Sequence, residues 1–147
     1  MSNFSILSQA IVNVLQGVQQ SGAAAFADIT TNPSTSFLGT PAVSAVPSDS
    51  PSDYATNVQN FRHYGFFVDI YLDIQADGSG MTVAFPIMLT LVDSVLDAFD
   101  QSNTLSGNCQ ILRPAPSAWS LAESADSVLL TARIILDCGT TVITNNG

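Results

Sequence analysis

In FSILSQAIVNVLQGVQQ, residues 4–20, apolar Ile6, Leu7, Ala10, Ile11, Val14, Leu15 and Val18 recur at helical spacing, while Gln9, Asn13 and Gln16 fall on the opposite side. This spacing predicts an amphipathic helix, capped by Ser2 or Asn3 and followed by Gly22. Its outer face is polar but uncharged, which suits either contact with a neighbour or plain solvation. A short strand is expected within residues 23–30. From Thr30 to Asn60 the chain turns to Ser, Thr, Pro, Asn and Asp and predicts a long irregular loop. Inside it AVSAV, residues 42–46, alternates weakly and predicts an edge strand stopped by Pro47.

The period changes to two in RHYGFFVDIYLDI, residues 62–74. Phe66, Val68, Ile70, Leu72 and Ile74 share one face, and His63, Gly65, Phe67, Asp69, Tyr71 and Asp73 the other. A long strand with one face in the core is expected. The stretch ADGSG, residues 76–80, predicts a turn by its Asp-Gly pair. In VAFPIMLTLVDSVLDAFDQS, residues 83–102, Met88, Leu91, Val92, Val95, Leu96 and Phe99 form a buried helical stripe, and Pro86 places the helix start close to itself. Two further strands, 108–113 and 127–138, are expected as an antiparallel hairpin with Cys109 opposite Cys138, Ile111 opposite Leu136 and Arg113 opposite Ile134. The intervening PAPSAWSLAESAD reads as a connection carrying Trp119, either a lid over the core or an anchor for a partner's pocket.

The expected architecture is α+β: a mostly antiparallel sheet of four or five strands, two helices packed on one face, and a long irregular loop at about residues 30–60. A chain of 147 residues accommodates this as a single domain, 1–147. No apolar run approaches the roughly 20 residues that cross a bilayer, and no basic signal-peptide opening is present, so no membrane association is expected.

Charge narrows the functions open to such a fold. Twelve acids face three arginines and no lysine, for a net charge of −9, so nothing displaces the counterions of a polyanion and specific nucleic-acid binding is excluded. Few charges and 46% hydrophobic residues make a poor surface for a free monomer and point to a subunit of an assembly. Asp93, Asp97 and Asp100 stack on the outer face of the second helix with no cation nearby, Asp97 and Asp100 near a C-terminus that disfavours negative charge. Water, a neighbour's arginine or an acidic channel wall would each accommodate them. Phe37 and Leu38 in the long loop, with Trp119, are further candidates for a contact surface.

Catalytic chemistry finds little footing. Asp69 and Asp73 lie roughly 13 Å apart along a strand, too far to share a metal ion or a proton, and read as solvating carboxylates. His63 has no nucleophile signature beside it, and neither a Gly-x-Ser-x-Gly elbow nor a phosphate-cradling glycine loop is present. The two cysteines have no metal-site spacing and read as buried thiols. No catalytic residue, metal site or cofactor is expected, and the chain is read as a non-enzyme.

PAVSAVPSD at 41–49, NVQNFRHYGFFVDIYLDI at 57–74, LVDSVLDAFD at 91–100, Trp119 and VLLTARIILDC at 128–138 together resemble the tail terminator proteins (tail completion or neck proteins) of long, non-contractile-tailed bacteriophages, with Asn60, Arg62, Tyr64 and Phe66 the most recognisable part. The resemblance covers most of the chain as a pattern of order and spacing. It implies a virion protein of the tail neck, assembled in the host cytoplasm, that forms a ring, usually of six subunits. Such a ring caps the tail tube protein, stops tube growth and offers a surface to the head-tail connector protein, while DNA passes through its lumen without specific binding. Within it, Arg62 and Arg113 are the cations available to meet Asp93, Asp97 or Asp100 of a neighbour. Another neck component, a tube subunit, or a small peptide- or metabolite-binding module remain the alternatives.

Overall fold

The computed structural model describes residues 4–20, 22–31, 40–48, 52–54, 59–74, 81–102, 104–105, 107–123 and 128–143. Helix α1 (Phe4–Gln16) buries Leu7, Ala10, Ile11 and Leu15, the stripe its spacing predicts. The helix tightens at its end, where Gly17 N donates to Val14 O at 3.0 Å and Val18 N to Leu15 O at 3.2 Å. A two-residue ladder follows, β1 (Gln19–Gln20) against β2 (Ala23–Ala24), turned by Gly22 at φ 81°, a conformation without penalty only for glycine.

The main sheet holds β3 (Asp28–Thr30), β4 (Ala42–Pro47), β6 (Gln59–Asp73), β8 (Val128–Ile143) and β7 (Ile111–Glu123), in that spatial order. Strands β3 and β4 run parallel and the other pairs antiparallel, so the architecture is α+β with a mixed, mostly antiparallel five-strand sheet. The short β5 (Ser52–Tyr54) pairs with β6 beyond the end of β4, so both successively use one flank of that long strand. The segment 42–46 is therefore internal and not an edge. Ala42, Val43 and Ser44, whose flank β3 covers, are buried, and so is Ala45 in the core cluster. Part of the expected loop is thus strand. Phe37, Leu38 and the Asp-Gly turn lie outside the described residues.

The hairpin differs from its expected form in length and register. Strand β7 continues through Pro114, Pro116 and Trp119 to Glu123 instead of ending at Arg113. Proline breaks an internal ladder, but β7 is the outermost strand, and a proline nitrogen that faces the open side removes no sheet bond. Ile111 stands opposite Gly139, Leu112 opposite Cys138 and Arg113 opposite Asp137, three positions from the expected pairing. An odd displacement exchanges the faces: Leu112 enters the core and Ile111 is exposed. Between Pro116 and Trp119 one extra residue bulges out of β7, so beyond it the odd-numbered residues turn inward, with Trp119 opposite Ala132 and Leu121 opposite Leu130.

Helix α2 (Met81–Gln101) begins five residues before Pro86, earlier than expected; it accommodates the proline on an exposed face. Met88, Leu91, Val92, Val95 and Phe99 are buried against Phe66, Val68 and Ile70 of β6 and Ile134 and Leu136 of β8 in one cluster with α1, which places both helices on one face. Phe4 fixes the start of α1 with edge-on ring contacts to Tyr64 (4.8 Å) and Phe66 (5.6 Å). After α2, Leu105 adopts φ 47° while its side chain is 1% exposed. A left-handed non-glycine residue costs about 1–2 kcal/mol, and burial of a leucine side chain returns about as much.

Candidate interaction surfaces

Among the described residues no helix packs on the sheet face opposite α1 and α2, and its side chains fall into rows fixed by the strand register. Val46, Phe67, Ile135 and Ala115 stand side by side across β4, β6, β8 and β7, an apolar row with Ile135 38% exposed. On one side runs the row Ser44, Asp69 and Arg133. Arg133 donates Nε–H to Asp69 Oδ1 at 2.8 Å and Nη2–H to Oδ2 at 3.1 Å, and its guanidinium lies 4.1 Å from the Phe67 ring centroid. That hydrogen bond holds Arg133 still more firmly protonated than usual. Asp69 is therefore an ion-pair partner and not the freely solvated carboxylate expected.

On the other side of the apolar row, His63 Nδ1 lies 2.9 Å from Asp137 Oδ1 and 3.1 Å from Oδ2. The two are diagonal neighbours across the β6–β8 ladder: His63 faces Gly139 and Asp137 faces Gly65, so within that ladder neither meets a side chain and each turns to the other, while Arg113 of β7 stands on the other flank of Asp137. An Asp-oriented imidazole is one component of general-base chemistry, but the residues paired with these two across the ladders are Gly139, Gly65 and Arg113, none of them a nucleophile. Among the described residues no group of three His, Cys, Asp or Glu side chains is placed to hold a metal ion.

The helix layer presents a different surface. Asp93, Asp97 and Asp100 are exposed as expected, and no described residue pairs with them. Of the expected interface cations, Arg62 is engaged within the chain: its Nη1 donates to the Tyr64 hydroxyl at 3.2 Å. Arg113 is exposed on the open sheet face opposite Asp137, with no hydrogen bond or ion pair to a described residue. The structure brings neither arginine to the α2 acids of its own chain. Trp119 stands on β7 and not on a loop, 39% exposed, with its ring 5.6 Å from Phe85 of α2. A groove of about 610 Å³ between α1 and the C-terminal end of α2 is lined by Gln9, Asn13, Gln101 and Asn108 amides with Ile6 and Leu105, all uncharged.

Cys109 and Cys138 are free, buried thiols in hydrogen-bond contact. The contact lowers Cys109 by stabilising its thiolate; the same bond, with burial, pushes Cys138 well above the usual thiol range. Burial likewise raises Tyr71 against a weaker opposing bond from Ser44. The ion pairs and the apolar row escaped the sequence reading because they require the pairing of β6 with β8; the matching period-two patterns of 62–74 and 128–138 were the available signal. No helix among the described residues is long and apolar enough to cross a membrane. No protein-family model matches the chain, and none of the curated proteins matches its sequence.

Proposed function

We propose that the chain is a structural virion protein, a ring-forming tail terminator that caps the tail tube, stops its polymerisation and provides a docking surface for the head connector. The observation that carries this reading is the open sheet face, where the row Val46, Phe67, Ile135 and Ala115 lies between two partnered carboxylates, Asp69 held by Arg133 and Asp137 by His63. Copies carrying −9 each repel one another, so they approach best where carboxylates already have partners. The sequence pattern described above supports the same assignment, and the absence of lysine suits a lumen through which DNA passes without being held. Arg113 supplies the remaining cation for a carboxylate of α2 in the adjacent subunit. The protein acts by assembly and performs no catalysis.

Native mass spectrometry with negative-stain imaging, on the protein alone and mixed with tail tubes, tests the proposal. Closed rings at tube ends and arrested tube growth are expected, with ring formation weakened by Ile135→Asp and by Arg113→Ala combined with Arg62→Ala. A solitary molecule at the tube end rejects the reading, open filaments favour a tube subunit, and preferential binding to isolated portal rings favours another neck component. The uncharged groove between the helices favours a small binding module as the second reading; a strictly monomeric species with a ligand-dependent melting shift would decide for it.

A further inference from the structure

Four of the seven exposed large apolar side chains among the described residues gather at the outer edge of the molecule: Phe85 (41%), Leu89 (43%), Trp119 (39%) and Leu121 (56%). Phe85 and Leu89 are one turn apart on α2; Trp119 and Leu121 alternate on β7; the ring contact between Phe85 and Trp119 joins the two pairs into one surface. The bulge after Pro116 gives this surface its form. In an unbulged strand Trp119 and Leu121 would continue the face of Arg113 and Ala115; the extra residue turns both towards α2 while leaving them open to solvent. Large apolar side chains grouped at a sheet edge mark a contact site.

Charge decides what occupies it. Along α2 the exposed stripe continues from Phe85 and Leu89 at four-residue steps into Asp93 and Asp97. A second copy of this chain matches the apolar part but not the acidic part, because it has three arginines and no lysine. Arg133 is held by Asp69 and Arg62 by Tyr64, and Arg113 can neutralise one carboxylate only. We infer that the Phe85, Leu89, Trp119 and Leu121 surface docks an amphipathic, basic helical segment of a different protein, seating apolar side chains on these four residues and lysine or arginine against Asp93 and Asp97. A helix suits the four-residue spacing of the stripe, whose ridges accept those of a second helix. The inference does not rest on ring formation.

Trp119 is the single tryptophan, so its emission reports this surface directly. The probe is a synthetic amphipathic helical peptide of about four turns, with leucines at four-residue spacing continued by lysines, beside a version with each lysine replaced by glutamate. The lysine peptide is expected to shift Trp119 emission to the blue. Its affinity should fall about tenfold or more when Asp93→Asn and Asp97→Asn are combined, or when salt rises from about 50 to 300 mM, and binding should be lost with Leu89→Ser and Leu121→Ser together. Both leucines are exposed, and circular dichroism checks that these variants fold. No shift at several hundred micromolar peptide, an equal response to the glutamate peptide, or undiminished binding to the double-serine variant overturns the inference. So does a concentration-dependent shift of the protein alone that sedimentation traces to self-association and Leu121→Ser abolishes, which makes a second copy the occupant. Loss of ring formation with peptide binding retained rejects the proposed function alone.

Discussion

Arg133 clasps Asp69 across the β6–β8 ladder with two hydrogen bonds, of 2.8 and 3.1 Å, while its guanidinium lies over Phe67, two residues along from that aspartate. One side chain thus pairs a carboxylate and covers an aromatic ring. Asp69 is 15% exposed and Arg133 42%, so solvent weakens the pair without abolishing it. A double-mutant cycle of Asp69→Asn and Arg133→Met should give a coupling of about 0.5–1.5 kcal/mol in chemical denaturation, reduced by salt. A coupling indistinguishable from zero would assign the contact to geometry alone.

The bulge in β7 makes a prediction about facing. Deleting Ser117 removes the extra residue and restores two-residue alternation with Trp119 still opposite Ala132 and Leu121 still opposite Leu130, so both keep facing α2 and Phe85. Trp119 emission and its accessibility to acrylamide should stay unchanged, with the far-ultraviolet dichroism retained. A red shift with stronger quenching in a folded deletion variant would show that the strand re-forms a bulge elsewhere and turns Trp119 onto the other face.

Helix α2 carries a removable defect. Pro86 lies inside the helix, where it has no N–H for the carbonyl four residues earlier, and it is exposed, so no core contact depends on its ring. Pro86→Ala should stabilise the protein by about 1–2 kcal/mol in urea denaturation, less than the full interior penalty because the proline lies near the helix start and restricts the unfolded chain. A destabilised variant would show that the ring's shape is needed where it stands.

The two thiols should differ in reactivity. Cys138 donates to Cys109, which favours the Cys109 thiolate and disfavours that of Cys138, so as pH rises towards the ordinary thiol range Cys109 ionises first. Iodoacetamide labelling followed by peptide mass analysis should find Cys109 modified before Cys138, slowly in the folded protein because both are buried. Cys138→Ser retains a donor and should preserve this reactivity at mildly alkaline pH; Cys138→Ala should lower it. Earlier labelling of Cys138 would contradict the assignment.

Period alone reveals the two helices, the long strand β6 and the inward face of β8, since Leu7, Phe66, Met88 and Ile134 recur where their elements require. Three features could not be read that way. Pro114 and Pro116 look like strand breakers until β7 is known to be outermost. The β7–β8 register is open because a slide of three positions still places apolar residues opposite one another, and only packing under α2 selects Leu112 over Ile111. The pairs His63–Asp137 and Arg133–Asp69 join residues 74 and 64 apart in sequence, and nothing local announces them. Of the candidate contact residues, the exposed aspartates of α2 were legible from helical spacing, whereas Trp119 acquires its neighbour Phe85 only through the bulge.

The prolines of β7 have a consequence for growth. Pro114 and Pro116 leave gaps in the outward row of amide donors, where an incoming strand would seek hydrogen-bonding partners. An incoming strand finds fewer donors to template on along that margin, which disfavours amyloid-like accretion there.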